Sequence, residues 1–101
     1  MMRYYVYILK CSDGSYYTGI TNNVERRFHE HQKGLVQGCY THERRPLQLV
    51  FAEEFAEAID AIARERQIKG WTRKKKEALI RGDFDGLVEL AKKRRPSTGS
   101  G

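Results

Sequence analysis

The sequence predicts an α+β domain: a small three-stranded antiparallel sheet flanked by helices. Three observations carry that expectation. Two β-rich runs, residues 4–11 and 15–21, are joined by the turn-forming "CSDGS". A third run, "LQLVFAEE" (47–54), alternates Leu47, Leu49 and Phe51. Between and after these runs come stretches with helical apolar spacing and recognisable caps. The order ββα-β-ααα suits a sheet with helices packed on it. With 101 residues the chain has room for one domain, expected over residues 1–95. "PSTGSG" (96–101) reads as a flexible tail.

The first strand is rich in Tyr, Val and Ile, and "SYYTGIT" is its hairpin partner. The loop between them sets the register. A two-residue Asp13-Gly14 turn pairs Tyr7 with Ile20 and puts Tyr7 and Tyr17 on opposite faces. A three-residue Ser12-Asp13-Gly14 loop, with Gly14 left-handed, pairs Tyr7 with Gly19 and Leu9 with Tyr17. Both phenols then share a face, because side chains alternate along a strand. The sequence leaves both registers open. "TNNVERRFHEHQKG" (21–34) reads as a helix capped by Asn22 and stopped by Gly34, with Val24, Phe28 and Leu35 on its apolar side. A loop closed by Pro46 leads to the third strand. "FAEAIDAIARERQIKG" (55–70) is helical by period. Thr72 caps the short basic helix "RKKKEALIRG", Gly82 stops it, and a last helix starts at Asp83.

Charge narrows the function classes. Nineteen Lys and Arg against thirteen Asp and Glu give +6, with a pI near 9.5 and a mean hydropathy of -0.71. The excess is concentrated in "HERRP" (42–46), "RERQIKGWTRKKK" (64–76) and "KKRR" (92–95). One such cluster is an ordinary solvated face; three in a chain this short favour a polyanionic partner. No apolar run approaches the length that spans a bilayer, and "MMRYYVYILK" lacks a signal-peptide core. The expected address is the cytoplasm, with no membrane partner. Cys11 and Cys39 are too few for a disulfide framework or a zinc site and read as reduced bystanders.

Five of the six tyrosines fall within residues 4–21, where a plain core would use Val, Ile and Phe. A strand glycine beside them, Gly19, often marks the close approach of a ligand. Arg27 and His31 lie four apart on the first helix, hence on one side of it. Taken alone they are a polar helix face; beside two phenols they could bind and polarise a phosphate. Glu65 shares a helical stripe with Ala58, Ala61, Ile62 and Lys69, which faces it inward. Buried acids are partnered or bound to metal. Glu65 therefore reads either as one half of an ion pair with a nearby Arg or Lys, or as a Mg²⁺ ligand. Magnesium accepts one or two protein carboxylates and fills its shell with water and phosphate.

This ordered set resembles the GIY-YIG nuclease superfamily, in particular its small single-domain bacterial members. "YVY" (5–7) stands for the GIY motif and "YTG" (17–19) for YIG, and Arg27 follows ten residues after Tyr17. Tyr5 replaces the first glycine and Thr18 the middle isoleucine of these motifs. The resemblance runs over residues 3 to 82. It implies hydrolysis of nucleic-acid phosphodiester bonds with one Mg²⁺ or Mn²⁺ and no organic cofactor. By analogy Glu65 holds the ion, Tyr17 is or activates the general base, Tyr7 positions water or phosphate, Arg27 neutralises transition-state charge, and His31 lines the site. Gly19 is expected to leave room for the phosphate, and Lys74, Lys75 and Lys76 to contact the backbone of DNA, with RNA as the other polymer. Tyr4, Tyr5, Tyr16 and Trp71 are expected to pack. Because specificity in the family comes from attached domains and this chain has none, low sequence specificity is expected, with flapped or branched DNA among the candidate substrate forms. The alternatives are a binding module that keeps the fold without cleaving, and a partner-binding protein whose basic face is incidental.

Overall fold

A computed structural model describes residues 2–94 of the chain. The expected tail at 96–101 and residue 95 lie outside the described residues. The elements run β1 (Tyr4–Lys10), β2 (Tyr16–Thr21), α1 (Val24–Gln32), a 3-10 turn (His42–Arg44), β3 (Gln48–Phe55), α2 (Ala58–Lys69), α3 (Arg73–Arg81) and α4 (Phe84–Arg94). The expected α+β fold is the one observed: three antiparallel strands in the order β2-β1-β3, with four helices. The described residues fall into two compact units, one ending at Lys69 and the next beginning at Gly70. Among them, no helix is long and apolar enough to cross a membrane.

The hairpin takes the three-residue loop. Gly14 has φ 85°, its N–H donates to Cys11 O at 2.9 Å, and Cys11 N–H donates to Ser15 O at 2.8 Å. Asp13 accepts from Ser15 N at 3.0 Å, which fixes the turn. The register follows: Tyr7 stands opposite Gly19 and Leu9 opposite Tyr17. On the other side of β1, Tyr7 faces Ala52, and one extra residue in β3 shifts the pairing between Ile8 and Leu9.

The two faces of the sheet are covered differently. Tyr7, Leu9 and Cys11 cluster with Leu47, and Tyr17 and Phe28 of α1 pack against them. Opposite is α2. Its Ala58 and Ile62 line a cavity with Tyr4 and Ile20, and Arg64 reaches Glu53, the residue opposite Val6, at 3.1 Å. Val6, Ile8 and Leu9 are wholly buried, each contributing about 1.5–3 kcal/mol of apolar transfer.

The helix α1 is shorter than expected, and Asn23 rather than Asn22 caps it, accepting from Arg26 N at 3.0 Å. Asn22 instead accepts from the Arg26 guanidinium. At the far end, Gln32 accepts from Leu47 N at 2.7 Å and donates to Leu47 O at 3.0 Å. Its amide thus docks like a strand on the start of β3. Leu35, expected on the apolar side, is exposed. In α2 the inward residues are Ala61 and Ile68, whereas Ile62 is exposed. β3 also claims Phe55, so α2 begins three residues later than its period suggests. In the second unit, Thr72 caps α3 by accepting from Lys75 N, and Gly82 ends it at φ 73°.

Gly19 is the tightest point of the sheet. A Cβ there would collide with the Tyr7 hydroxyl and ring. Tyr7 lies across β2 and uses the space itself, so the opening expected for a phosphate is filled by a phenol. Gly19→Ala should lower stability by about 1–3 kcal/mol through overpacking. Urea unfolding checks this, and combining it with Tyr7→Leu should recover most of the loss relative to Tyr7→Leu alone.

Candidate active site

Four of the predicted residues meet on the α1 side of the sheet. β1 presents Tyr7, β2 presents Tyr17, and α1 presents Arg27 and, one turn later, His31. The Tyr7 hydroxyl and His31 Nε2 share a hydrogen bond of 3.0 Å. The Arg27 guanidinium lies near enough to the Tyr7 phenol to oppose the rise of its pKa, and it pairs with Glu30 at 3.2 Å. The Tyr17 ring meets His31 edge-on at 5.3 Å and Tyr7 at 6.3 Å between centroids. Such aromatic contacts contribute about 0.5–1.5 kcal/mol each beyond burial.

Depth divides the cluster into two tiers. Tyr7 is 2% exposed and His31 1%, whereas the Arg27 side chain is 37% exposed and Tyr17 is half-buried. Tyr17 and Arg27 are therefore the groups within reach of a ligand, and Tyr7 and His31 form the floor beneath them.

Two further residues complete the floor, Cys39 and Thr41. Thr41, wholly buried, meets His31 Nδ1 at 2.8 Å and lies 3.6 Å from Cys39 Sγ. The Tyr17 hydroxyl also lies beside Cys39, close enough that each shifts the other's proton affinity. The expected bystander is thus part of the cluster. Both residues come from the loop between α1 and β3, which carries no periodic pattern that would flag them. The loop is held by Arg44, which binds Asp13 of the hairpin at 3.1 Å, donates to Tyr40 O at 2.8 Å and lies 3.8 Å above the Tyr40 ring. Ser12 N–H donates to Arg44 O at 2.9 Å, tying the same two loops through the backbone.

Burial sets the protonation of the cluster. It raises both phenols above the ordinary tyrosine range; at Tyr7 the Arg27 contacts oppose the shift, and at Tyr17 the neighbouring Cys39 adds to it. His31 is lowered by burial and by the Arg27 charge, so it is neutral at pH 7. For Cys39, burial pushes the thiol up, but Thr41, Tyr17 and the Arg27 charge bring it below its usual value.

Glu65 lies outside this hydrogen-bonded group. Its carboxylate, 15% exposed, receives Lys69 Nζ at 2.7 Å on α2, the helix over the opposite sheet face. The ion-pair reading of its inward position is thus realised. Among the described residues, no three His, Cys, Asp or Glu side chains gather as a metal cage. The donor chemistry at Glu65 still fits Mg²⁺ or Mn²⁺: a lone hard carboxylate suits an ion that keeps most of its water. Lys74, Lys75 and Lys76 lie in the first turn of α3, in the second unit, with Lys75 Nζ 4.6 Å above the half-buried Trp71 ring.

The family model for the GIY-YIG catalytic domain matches residues 3–78. A UPF0213 protein of Limosilactobacillus reuteri is 46% identical over 92% of this chain and 95% of its own length. One from Haloquadratum walsbyi is 51% identical over 81% and 91%. Among solved structures, the solution structure of a Bacillus halodurans UPF0213 protein aligns at TM-score 0.53, with 39% identity over 88% of this chain and 97% of that one. An E. faecalis protein aligns at TM-score 0.57, with 34% identity over 81% and 86%.

The depressed His31 makes stability pH-dependent with a definite sign. Unfolded histidine takes up a proton below about pH 6.5, whereas the folded chain resists it, so stability is full above that value and declines as pH falls. Urea midpoints should drop between pH 7 and pH 5, and the drop should shrink in His31→Gln.

Proposed function

The chain belongs to the GIY-YIG catalytic-domain family, and on that premise we propose that it is a divalent-metal-dependent endonuclease. It hydrolyses DNA phosphodiester bonds in the cytoplasm with little sequence selectivity, and its reach includes flapped or branched forms. RNA is the second candidate polymer. The observation that carries this reading is the convergence of Tyr7, Tyr17, Arg27 and His31 into one cluster with Arg27 and Tyr17 at its rim. A core has no need of such a group, because buried polar networks cost desolvation that aliphatic packing avoids.

The division of labour follows from depth and charge. Arg27, fixed by Tyr7 and Glu30, meets the scissile phosphate and offsets its growing negative charge. Tyr17 orients the attacking water and, in the fraction that has lost its own proton to solvent, accepts the water's proton. Tyr7 acts from below by holding Arg27 and His31 in place. Gly19 serves the site by admitting the Tyr7 ring. Glu65, on α2 rather than in that cluster, is the carboxylate that would hold Mg²⁺ or Mn²⁺, and the ion would supply Lewis-acid charge. Lys74, Lys75 and Lys76 meet the nucleic-acid backbone.

A binding module without cleavage is the second reading, favoured by the Lys69 ammonium that already neutralises Glu65. Cleavage of plasmid and branched DNA with Mg²⁺ or Mn²⁺ separates the two. On the nuclease reading, Glu65→Gln lowers cleavage about a hundredfold or more, the scale of several kcal/mol of lost charge stabilisation, and leaves folding and DNA binding intact. Salt-sensitive binding with no cutting by either protein selects the binding module. Each of Lys74, Lys75 and Lys76 changed to Ala should flatten the logarithmic salt dependence of DNA binding by about one unit.

A phenol raised by burial is a poor acceptor at neutral pH. Cleavage should therefore climb through pH 6–9, by up to about tenfold per unit where loss of one proton limits the rate. Tyr17→Phe should remove most of the activity and flatten that rise, as a pH series of initial rates would record.

A further inference from the structure

Proton counting around the buried floor of the site shows what Thr41 does there. A threonine hydroxyl has one proton to give. With that proton directed at Cys39 Sγ, 3.6 Å away, Oγ1 meets His31 Nδ1 at 2.8 Å as the acceptor. The proton of neutral His31 then sits on Nδ1. Nε2 is left bare, and at 3.0 Å it accepts from the Tyr7 hydroxyl. The sequence of donors runs one way: Tyr7 to His31, His31 to Thr41, Thr41 to Cys39.

We propose that Thr41 is a positioning residue that locks His31 in its Nδ1–H tautomer, so that Nε2 takes the Tyr7 proton and the phenol oxygen's lone pairs turn toward Arg27. This rests on the nuclease reading only for its catalytic consequence; the tautomer itself does not depend on it. In the opposite tautomer, Nε2–H would donate to Tyr7 and force the phenol proton elsewhere, toward the Arg27 guanidinium that cannot accept it. Arg27 would then lose the contact that aims it. The groups facing His31 are Tyr7 from β1, Tyr17 from β2, Arg27 and Glu30 from α1, and Thr41 from the loop, with Cys39 behind Thr41. Arg27 and burial keep the ring neutral, which is the state in which a tautomer matters.

The test is nitrogen-15 NMR of the histidine ring in the full chain, without metal or DNA, where the two tautomers give distinct ring-nitrogen shifts. Wild type and Thr41→Ser should show His31 protonated at Nδ1. Thr41→Val keeps the shape but removes the acceptor, and should shift His31 to the Nε2–H form or to a mixture. If Thr41→Val does not fold, Cys39→Ala gives the same reading, since it frees the threonine proton to point at His31. An unchanged tautomer in the variant that folds, or a change in Thr41→Ser as large as in Thr41→Val, overturns the proposal. Where cleavage is measurable, Thr41→Val should lower it about 10–100-fold, as expected when a hydrogen bond that orients an imidazole is lost, with Thr41→Ser restoring it.

Discussion

The Tyr7 phenol is accommodated by the absence of a side chain at Gly19, and most of the site's geometry depends on that accommodation. With a Cβ at Gly19 the ring could not lie across β2, its hydroxyl could not reach His31, and Arg27 would lose a partner. The hairpin register makes the juxtaposition possible, and the left-handed Gly14 makes the register possible. Two glycines five residues apart therefore do different work. One bends the chain so that Tyr7 and Tyr17 share a face, and the other clears the volume that the first phenol occupies.

The loop between α1 and β3 shows how irregular chain can be held as firmly as a strand. Arg44 binds the hairpin turn through Asp13, its own loop through Tyr40 O, and the Tyr40 ring. Gln32 grips both backbone groups of Leu47. Individually such exposed ion pairs contribute about 1 kcal/mol or less. Together they close the loop over Thr41, so a hydroxyl and a thiol are delivered to the underside of the phenols without any regular element to carry them.

Electrostatically the site is a neutral, buried floor under a charged rim. His31 is kept uncharged and the phenols protonated by the same burial that binds the layers together. Arg27, paired with Glu30, acts on both phenols, on His31 and on Cys39. Glu65 answers to a different neighbourhood: it packs on the other sheet face and is balanced by Lys69 within one helical turn.

Strand and helix alternation, the caps at Thr72 and Gly82, and the ordered set of Tyr7, Tyr17, Arg27, His31 and Glu65 were legible in the sequence. These depend on local periods and on spacing, which a linear chain displays directly. The cap of α1 slipped by one residue because adjacent asparagines offer the same side-chain acceptor, and only the chain's entry angle selects Asn23. The start of α2 moved because Phe55 suits a strand as well as a helix, and pairing with Tyr4 decided it. The roles of Cys39 and Thr41 were not legible at all, since their partners are distant in sequence or lie in a loop without period. By itself the sequence determined the elements and the residues that meet in the cluster. The tertiary structure decided which phenol is buried, what fills the space at Gly19, and which side of the sheet Glu65 approaches. Those outcomes depend on volumes and hydrogen-bond directions that exist only once the strands are paired and the loop is closed.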